Sequence, residues 1–356
     1  MRITFDKSTN FYAQLRQEVE AYFQNNNIEK HGNRALYTKT AILLFLFVAF
    51  YVTLVFFTPV WYIAIPLAML YGMNLAFIGF NIMHDACHES YSKNPKVNYF
   101  FGLSMNLLGS NAFIWKTKHN TVHHTYTNID GVDDDILKIP IFRWAKTQPL
   151  KKAHKFQHIY AFFLYMLAPI LWVFVTDFVK YFQRSVGPVP LPKVTNQEKV
   201  IFWISKLFYV LFYIAIPLMF VDLVPFLIGY FVMNAVFGLT LSLVFQLAHV
   251  VENTHFYEAN NEQHHADIKD EWAVQQLKTT TNFATNNKLI SWCLGGLNFQ
   301  VEHHLFTRIS HIHYPAVNKI VMNVCKDLDI PYNTYPTMWQ AFKSHMRYVK
   351  HLGTVA

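Results

Sequence analysis

Apolar positions run without a charge over residues 41–58, and after the interruption at Pro59-Val60 they continue over residues 61–83. At about 1.5 Å of helical rise per residue the first run covers about 27 Å, close to the ~30 Å hydrocarbon core of a bilayer. The short connection predicts a helical hairpin through a membrane. A second pair follows at 201–221 and 223–250, split by Val221-Asp222-Leu223-Val224-Pro225. Between the pairs lie two weaker apolar stretches, residues 160–176 with Pro169 in the middle, and residues 97–115, interrupted by Asn98, Asn106, Ser110 and Asn111. The first 40 residues are polar, with no apolar run behind a basic start, so no secretory signal peptide is expected.

The pattern predicts an all-α integral membrane protein. Residues 1–40 form a cytoplasmic N-terminal segment and residues 41–350 a single domain of two transmembrane hairpins (four spans, about 41–58, 61–83, 201–221 and 223–250) under a cytoplasmic helical cap. Residues 351–356 form a tail. Charge placement orients the plan. No Lys or Arg falls between residues 40 and 92, nor between 207 and 268; all 30 basic residues lie outside the hairpins except Lys206. By the positive-inside bias both hairpin turns face away from the cytoplasm. If both pairs run in and out, the segment 84–200 starts and ends on the cytoplasmic side. Residues 160–176 are then expected to be interfacial or re-entrant; the alternative is a fifth span with an external C-terminus.

Composition sharpens this only in two respects. Charged residues make up 15% against 53% hydrophobic, whereas soluble domains carry about 25% charged residues; a disordered chain and a typical cytosolic globule are excluded. Three cysteines cannot build a disulfide framework, which suits a reducing compartment.

The 18 histidines carry the chemistry. His84 and His88 close the second apolar run at i and i+4, on one helical face. His119, His123 and His124 form HNTVHH, and Gln300, His303 and His304 lie in QVEHH. His249 ends the last apolar run, in a polar stripe with Ser242, Gln246 and Asn253; Asn74, Asn81 and Asp85 make a similar stripe on the second run. Polar groups in a span mark either a site or an interhelical hydrogen bond. Neutral imidazoles suit Fe, Zn, Cu or Ni. Eight of them exceed what one zinc ion needs, so two metal ions are the economical reading. His154, His158, His311, His313, His345 and His351 are expected at the surface or interface, and His255, His264 and His265 in a solvated loop.

The pattern HxxxH, HxxxHH, QxxHH between two membrane hairpins resembles the membrane fatty acid desaturases. The phrase GLNFQVEHHLFTR, with Asp270-Glu271-Trp272 and Thr281-Asn282-Phe283 ahead of it, resembles their front-end branch, over roughly residues 35–350. The resemblance implies a non-haem di-iron enzyme that uses O2 and two electrons to place a cis double bond in an acyl chain. It implies as ligands His84, His88, His119, His123, His124, His303 and His304, with His249 as the isolated ligand after the last span. Gln300 stands where other branches have a His, as a weak ligand, a water-mediated one or an orienting group. Asp85 and Glu302 are candidates to accept imidazole N–H groups, and Gln246 and Asn253 are further candidates beside the metals.

Front-end desaturases of eukaryotes carry a fused cytochrome b5 with an HPGG haem motif. No HPGG occurs here, so no haem is expected on the chain, and electrons are expected from a ferredoxin or from free cytochrome b5 with a reductase. The expected substrate is a fatty acyl-CoA or an acyl lipid. The partners are then that substrate, the donor and the bilayer, with no nucleic acid, and the location a bacterial inner membrane, with the active site and both termini cytoplasmic. The basic balance, +8, fits CoA phosphates, anionic lipid heads or an acidic carrier, and equally an ordinary positive-inside bias. The nearest rival is a related di-iron membrane hydroxylase. More distant are a zinc protease, since His84-Asp85-x-x-His88 echoes HExxH, and a metal or haem-binding membrane transport protein.

Overall fold

The computed structural model describes residues 2–7, 9–136, 140–259 and 265–355. His264 lies outside them. Among the described residues five helices are long and apolar enough to cross a membrane: α2 (Arg34–Phe56), α3 (Trp61–Cys87), α5 (Lys152–Gln183), α6 (Asn196–Phe220) and α7 (Leu223–His249). They are consistent with a multi-pass membrane protein. Phe45, Trp61 and Met219 are 71%, 77% and 75% exposed, as side chains facing lipid would be, and Trp61 and Tyr62 sit at the α2–α3 turn where interfacial aromatics belong.

The two apolar pairs of the sequence are α2–α3 and α6–α7. The difference lies in α5, which is far longer than the apolar stretch 160–176. It continues through Pro169, whose ring nitrogen has no proton for the carbonyl of Tyr165. That carbonyl abuts Gly238 of α7, where a β-carbon would come within 2.3 Å of it. Gly72 does the same for α3 against the Met233 carbonyl of α7, at 2.3 Å. Small residues thus let α3 and α5 approach the last helix closely. Asn74 donates to Leu43 O across α2–α3 at 3.1 Å, and Asn81 donates to Cys293 O at 2.8 Å, so both serve as interhelical or helix–loop hydrogen bonds. Lys206 is buried, donating to Asp177 and to Gly109 O, each at 2.7 Å.

The remaining chain folds over the end of the bundle where α3 and α7 finish. It comprises α1 (Phe11–Asn25), α4 (residues 112–126), α8 (Trp272–Thr279), α9 (Gln300–Leu305), α10 (Tyr314–Asp327) and α11 (Met338–Leu352). The N-terminal segment is integrated into this layer. Phe11, Leu15, Val19 and Phe23 recur at a spacing of four and are buried against α10. A parallel strand pair, Arg2–Asp6 with His265–Glu271, was not anticipated by the helical patterning.

Candidate metal centre

The eight histidines singled out in the sequence come together where α3, α4, α7 and α9 meet, and each is 6% exposed or less. Three overlapping groups have ligand atoms within 4.8 Å of one another: His84, His88, His119 and His303; His123, His249 and His304; and His124, His303 and His304.

Local backbone explains the grouping. His84 and His88 follow at i and i+4 on the last turn of α3. HNTVHH would not work on a regular α-helix, because position i+5 lies about 140° round from i. Here Thr117–His123 is a wide turn, and the N–H of His124 bonds to the carbonyl of His119, five residues back. The extra residue brings His124 round to the face of His119, and their Nε2 atoms lie 3.1 Å apart. A second wide turn, Gly79–Met83, directly precedes His84, whose Nε2 is 3.2 Å from that of His119. Such turns concentrate at functional sites. His303 and His304 are adjacent, about 100° apart on α9, so His303 joins His84, His88 and His119, His304 joins His123 and His249, and both lie beside His124.

Hydrogen bonds fix which ring nitrogen points inward. His123 Nδ1 donates to Asp133 at 3.2 Å, His304 Nδ1 to Gln276 Oε1 at 2.7 Å, and His249 Nδ1 to Thr279 O at 3.3 Å. Each leaves a lone pair on Nε2. Among the described residues the Nε2 atoms of His88, His123 and His303 have no partner, although they are buried. Burial pushes His119, His124, His303 and His304 well below the usual imidazole range, and neighbouring imidazoles lower them further. His123 is the exception: burial lowers it, but the Asp133 carboxylate, with Asp135, outweighs this and raises it. His123 apart, these are imidazoles that burial keeps neutral, with lone pairs turned inward as transition-metal ligation requires, so the donor set fits.

The other candidates fall in different places. Gln300 Nε2 lies 2.9 Å from His249 Nε2 and 3.2 Å from His304 Nε2. Asp85 accepts from an imidazole outside the boxes, His311 Nδ1 at 2.9 Å, and from Ser310 Oγ at 2.7 Å. Glu302 is held by Asn282, Asn318 and Tyr332 rather than by an imidazole. Gln246 lines a cavity beside the centre with its Oε1 unpartnered. Asn253 is exposed beyond the end of α7. Asp133, Gln276, Thr279 and Tyr314, which hydrogen-bond to the box imidazoles, carry no signal of their own in the sequence, because they lie outside the boxes and reach them only through folding. His154, His311 and His345, expected at the surface, are buried, since the cap folds back over them.

The cavity holds about 480 Å³. His84, His119 and Gln300 stand in its wall, and the rest is mainly apolar, from α3, α5 and α7. Near the centre its rim carries Lys118, Lys180, Asp134 and Asp135, which pair with one another.

The family model of fatty acid desaturases matches residues 59–336. A sn-1 linoleoyl-lipid 6-desaturase of Synechocystis is 36% identical over 99% of this chain and 98% of its own length. One from Arthrospira platensis is 35% identical over 99% and 95%. An acyl-lipid (8-3)-desaturase of Physcomitrium patens is 35% identical over 98% of this chain and 72% of its own.

Proposed function

Since the chain belongs to the fatty acid desaturase family, we propose that it is a front-end desaturase that holds two iron ions in its eight-histidine centre and acts on acyl groups esterified in lipids. The carrying observation is the set of buried imidazole groups with unpartnered nitrogens turned inward, of which His84 and His119 stand in the wall of a mainly apolar cavity. Bound iron supplies the redox chemistry by which O2 and two electrons remove two hydrogens from adjacent carbons, leaving a cis double bond and water. His84, His88, His119 and His303 hold one ion and His123, His249 and His304 the other, with His124 between them. Asp133, Gln276 and the Thr279 carbonyl keep these rings in one tautomer and orientation. The cavity excludes water and fixes which methylene lies beside the centre, which is catalysis by positioning. The names of the cyanobacterial relatives support an acyl lipid over a CoA thioester as substrate. A ferredoxin or free cytochrome b5 supplies the electrons.

The four-span plan belongs to the same proposal. The ends of α3 and α7 share one centre, and α6–α7 are joined by a two-residue turn. The chain therefore leaves α3 and enters α6 on the same side, so α5 does not cross. Lys180 near one end of α5 pairs with Asp134 beside the centre, and Gln157 near the other donates to Val349 O of the cap at 2.8 Å, which supports a helix that starts and ends on the metal side. The distribution of basic residues supports assigning that side, and both termini, to the cytoplasm; a bacterial inner membrane is the location that goes with this reading.

Expression in a host of defined fatty acid content, with a donor supplied, is expected to yield a new unsaturated acid by gas chromatography and two iron ions per chain by metal analysis. A single zinc, a haem absorption band, or no new product across chain lengths overturns the reading. Reporter fusions at the C-terminus test the topology; an external C-terminus overturns it.

A further inference from the structure

The helices α3 and α7 contain four glycines, and two have an evident place in packing. At Gly72 and Gly238 an added β-carbon would collide with a neighbouring backbone carbonyl at 2.3 Å, and at Gly229 it would meet nothing within 4 Å. Gly79 differs from all three. Its nearest neighbours would be two flexible side-chain ends, Leu108 Cδ1 at 3.5 Å and Leu241 Cδ2 at 3.9 Å. That is ordinary contact, so the helix crossing does not require glycine here. What the missing side chain leaves is space, because Gly79 stands in the cavity wall.

Its position along the cavity is defined. The N–H of His84 bonds to the carbonyl of Gly79 across the wide turn, so Gly79 lies one turn farther from the cap than the metal ligand, on the same side of α3. On α7 the cavity is bounded from Gln246, one turn before His249, to Phe237, a rise of about 14 Å. Leu241 stands midway, facing Gly79 from the opposite helix. A chain that lies along the cavity past His84 runs over the stretch of wall that Gly79, Leu108 and Leu241 form together.

We propose that Gly79 sets how far an acyl chain extends beyond the metal centre, as a specificity-determining residue for the length of the methyl-terminal part of the substrate; this rests on the acyl-chain reading of the cavity. A side chain at position 79 fills the wall between Leu108 and Leu241, and one larger than a methyl pushes their flexible ends into the passage and narrows it, without meeting a metal ligand or a neighbouring backbone.

The test uses the full-length protein in membranes, with a ladder of acyl substrates that differ only in the number of carbons beyond the reacting bond. Product is measured for wild type, Gly79→Ala, Gly79→Val and Leu241→Phe, with iron content read in parallel. The expected result is a graded shift toward shorter substrates. Gly79→Val should change the ratio of longest to shortest product by roughly tenfold, the scale on which apolar pockets discriminate by a methylene or two, while iron per chain is unchanged. Leu241→Phe approaches the same point from α7 and should shift the ratio in the same direction, which keeps the test available if Gly79→Val does not fold. An unchanged ratio in Gly79→Ala and Leu241→Phe, with iron and activity retained, overturns the proposal. A wild-type protein that makes no unsaturated product at any length overturns the desaturase reading instead.

Discussion

The side-chain amide of Gln300 lies 2.9 Å from Nε2 of His249, at the point where the last long helix ends. With His249 Nδ1 donating to the Thr279 carbonyl, the amide N–H donates to the lone pair that faces the centre. That lone pair cannot serve an amide and an ion together, so a metal bound there would displace the amide. Gln300→Leu, which leaves all eight imidazoles in place, is expected to retain two iron ions per chain. Metal analysis of the purified variant checks this, and loss of one ion would make the amide a ligand.

Asp133 is expected to act on metal affinity through His123. Its carboxylate takes the Nδ1–H of His123 at 3.2 Å and the backbone N–H of Asn128 at 2.9 Å. Asp133→Asn weakens the acceptor and frees the imidazole to change tautomer. The expected effect is a roughly 10–100-fold loss of metal affinity or activity, read by chelator competition. Metal retention equal to wild type would contradict it.

Glu302 is expected to be a matter of stability. It is fully buried and accepts from Asn282, Asn318 and Tyr332 at 2.7, 3.1 and 2.8 Å. Burial pushes its carboxyl above the usual range, and these donors bring it partway back. Glu302→Ala removes an acceptor shared by three donors; the Asn282 and Asn318 amides keep Tyr332 Oη as a partner, and each donor hydrogen left unpaired costs about 1–3 kcal/mol where it finds no water. The expected result is a clear fall in thermal unfolding temperature in detergent, with reduced iron because α9 carries His303 and His304. An unchanged unfolding temperature would show that the donors re-pair.

His345 gives a pH dependence outside the metal centre. Burial depresses it from 6.5 to about 4; its Nδ1 donates to Val250 O at 2.7 Å and Tyr165 O–H donates to its Nε2 at 3.1 Å. The unfolded chain therefore takes up this proton first. The stability it contributes is intact above pH 6.5 and falls as the pH drops toward 4, by about 3 kcal/mol in all. The difference in unfolding free energy between wild type and His345→Gln should narrow over that window; a gap independent of pH would rule the effect out.

The two hairpins and the three histidine boxes were legible because they depend on local rules. An apolar run of bilayer length, the i, i+4 face of a helix and the positions of Lys and Arg can all be read along the chain. The long α5 was only half legible. Its apolar stretch 160–176 is visible, but the polar turns that extend it to Lys152–Gln183 are helical only because both ends find partners in the metal-side layer.

The sequence by itself determined which nitrogens are available for metal, since imidazole chemistry and spacing reside in residue identity. Only the tertiary structure decided how they are used. The wide turn at Thr117–His123 brings His124 onto the face of His119, and α7 carries His249 to Gln300 and His304 across more than fifty positions of chain. Asp133, in a loop, and Gln276 and Thr279, on α8, become acceptors only by packing against the boxes. Gly79 and Leu241 face one another only because α3 and α7 lie side by side. Such relationships arise from packing between distant segments, and no local pattern encodes them.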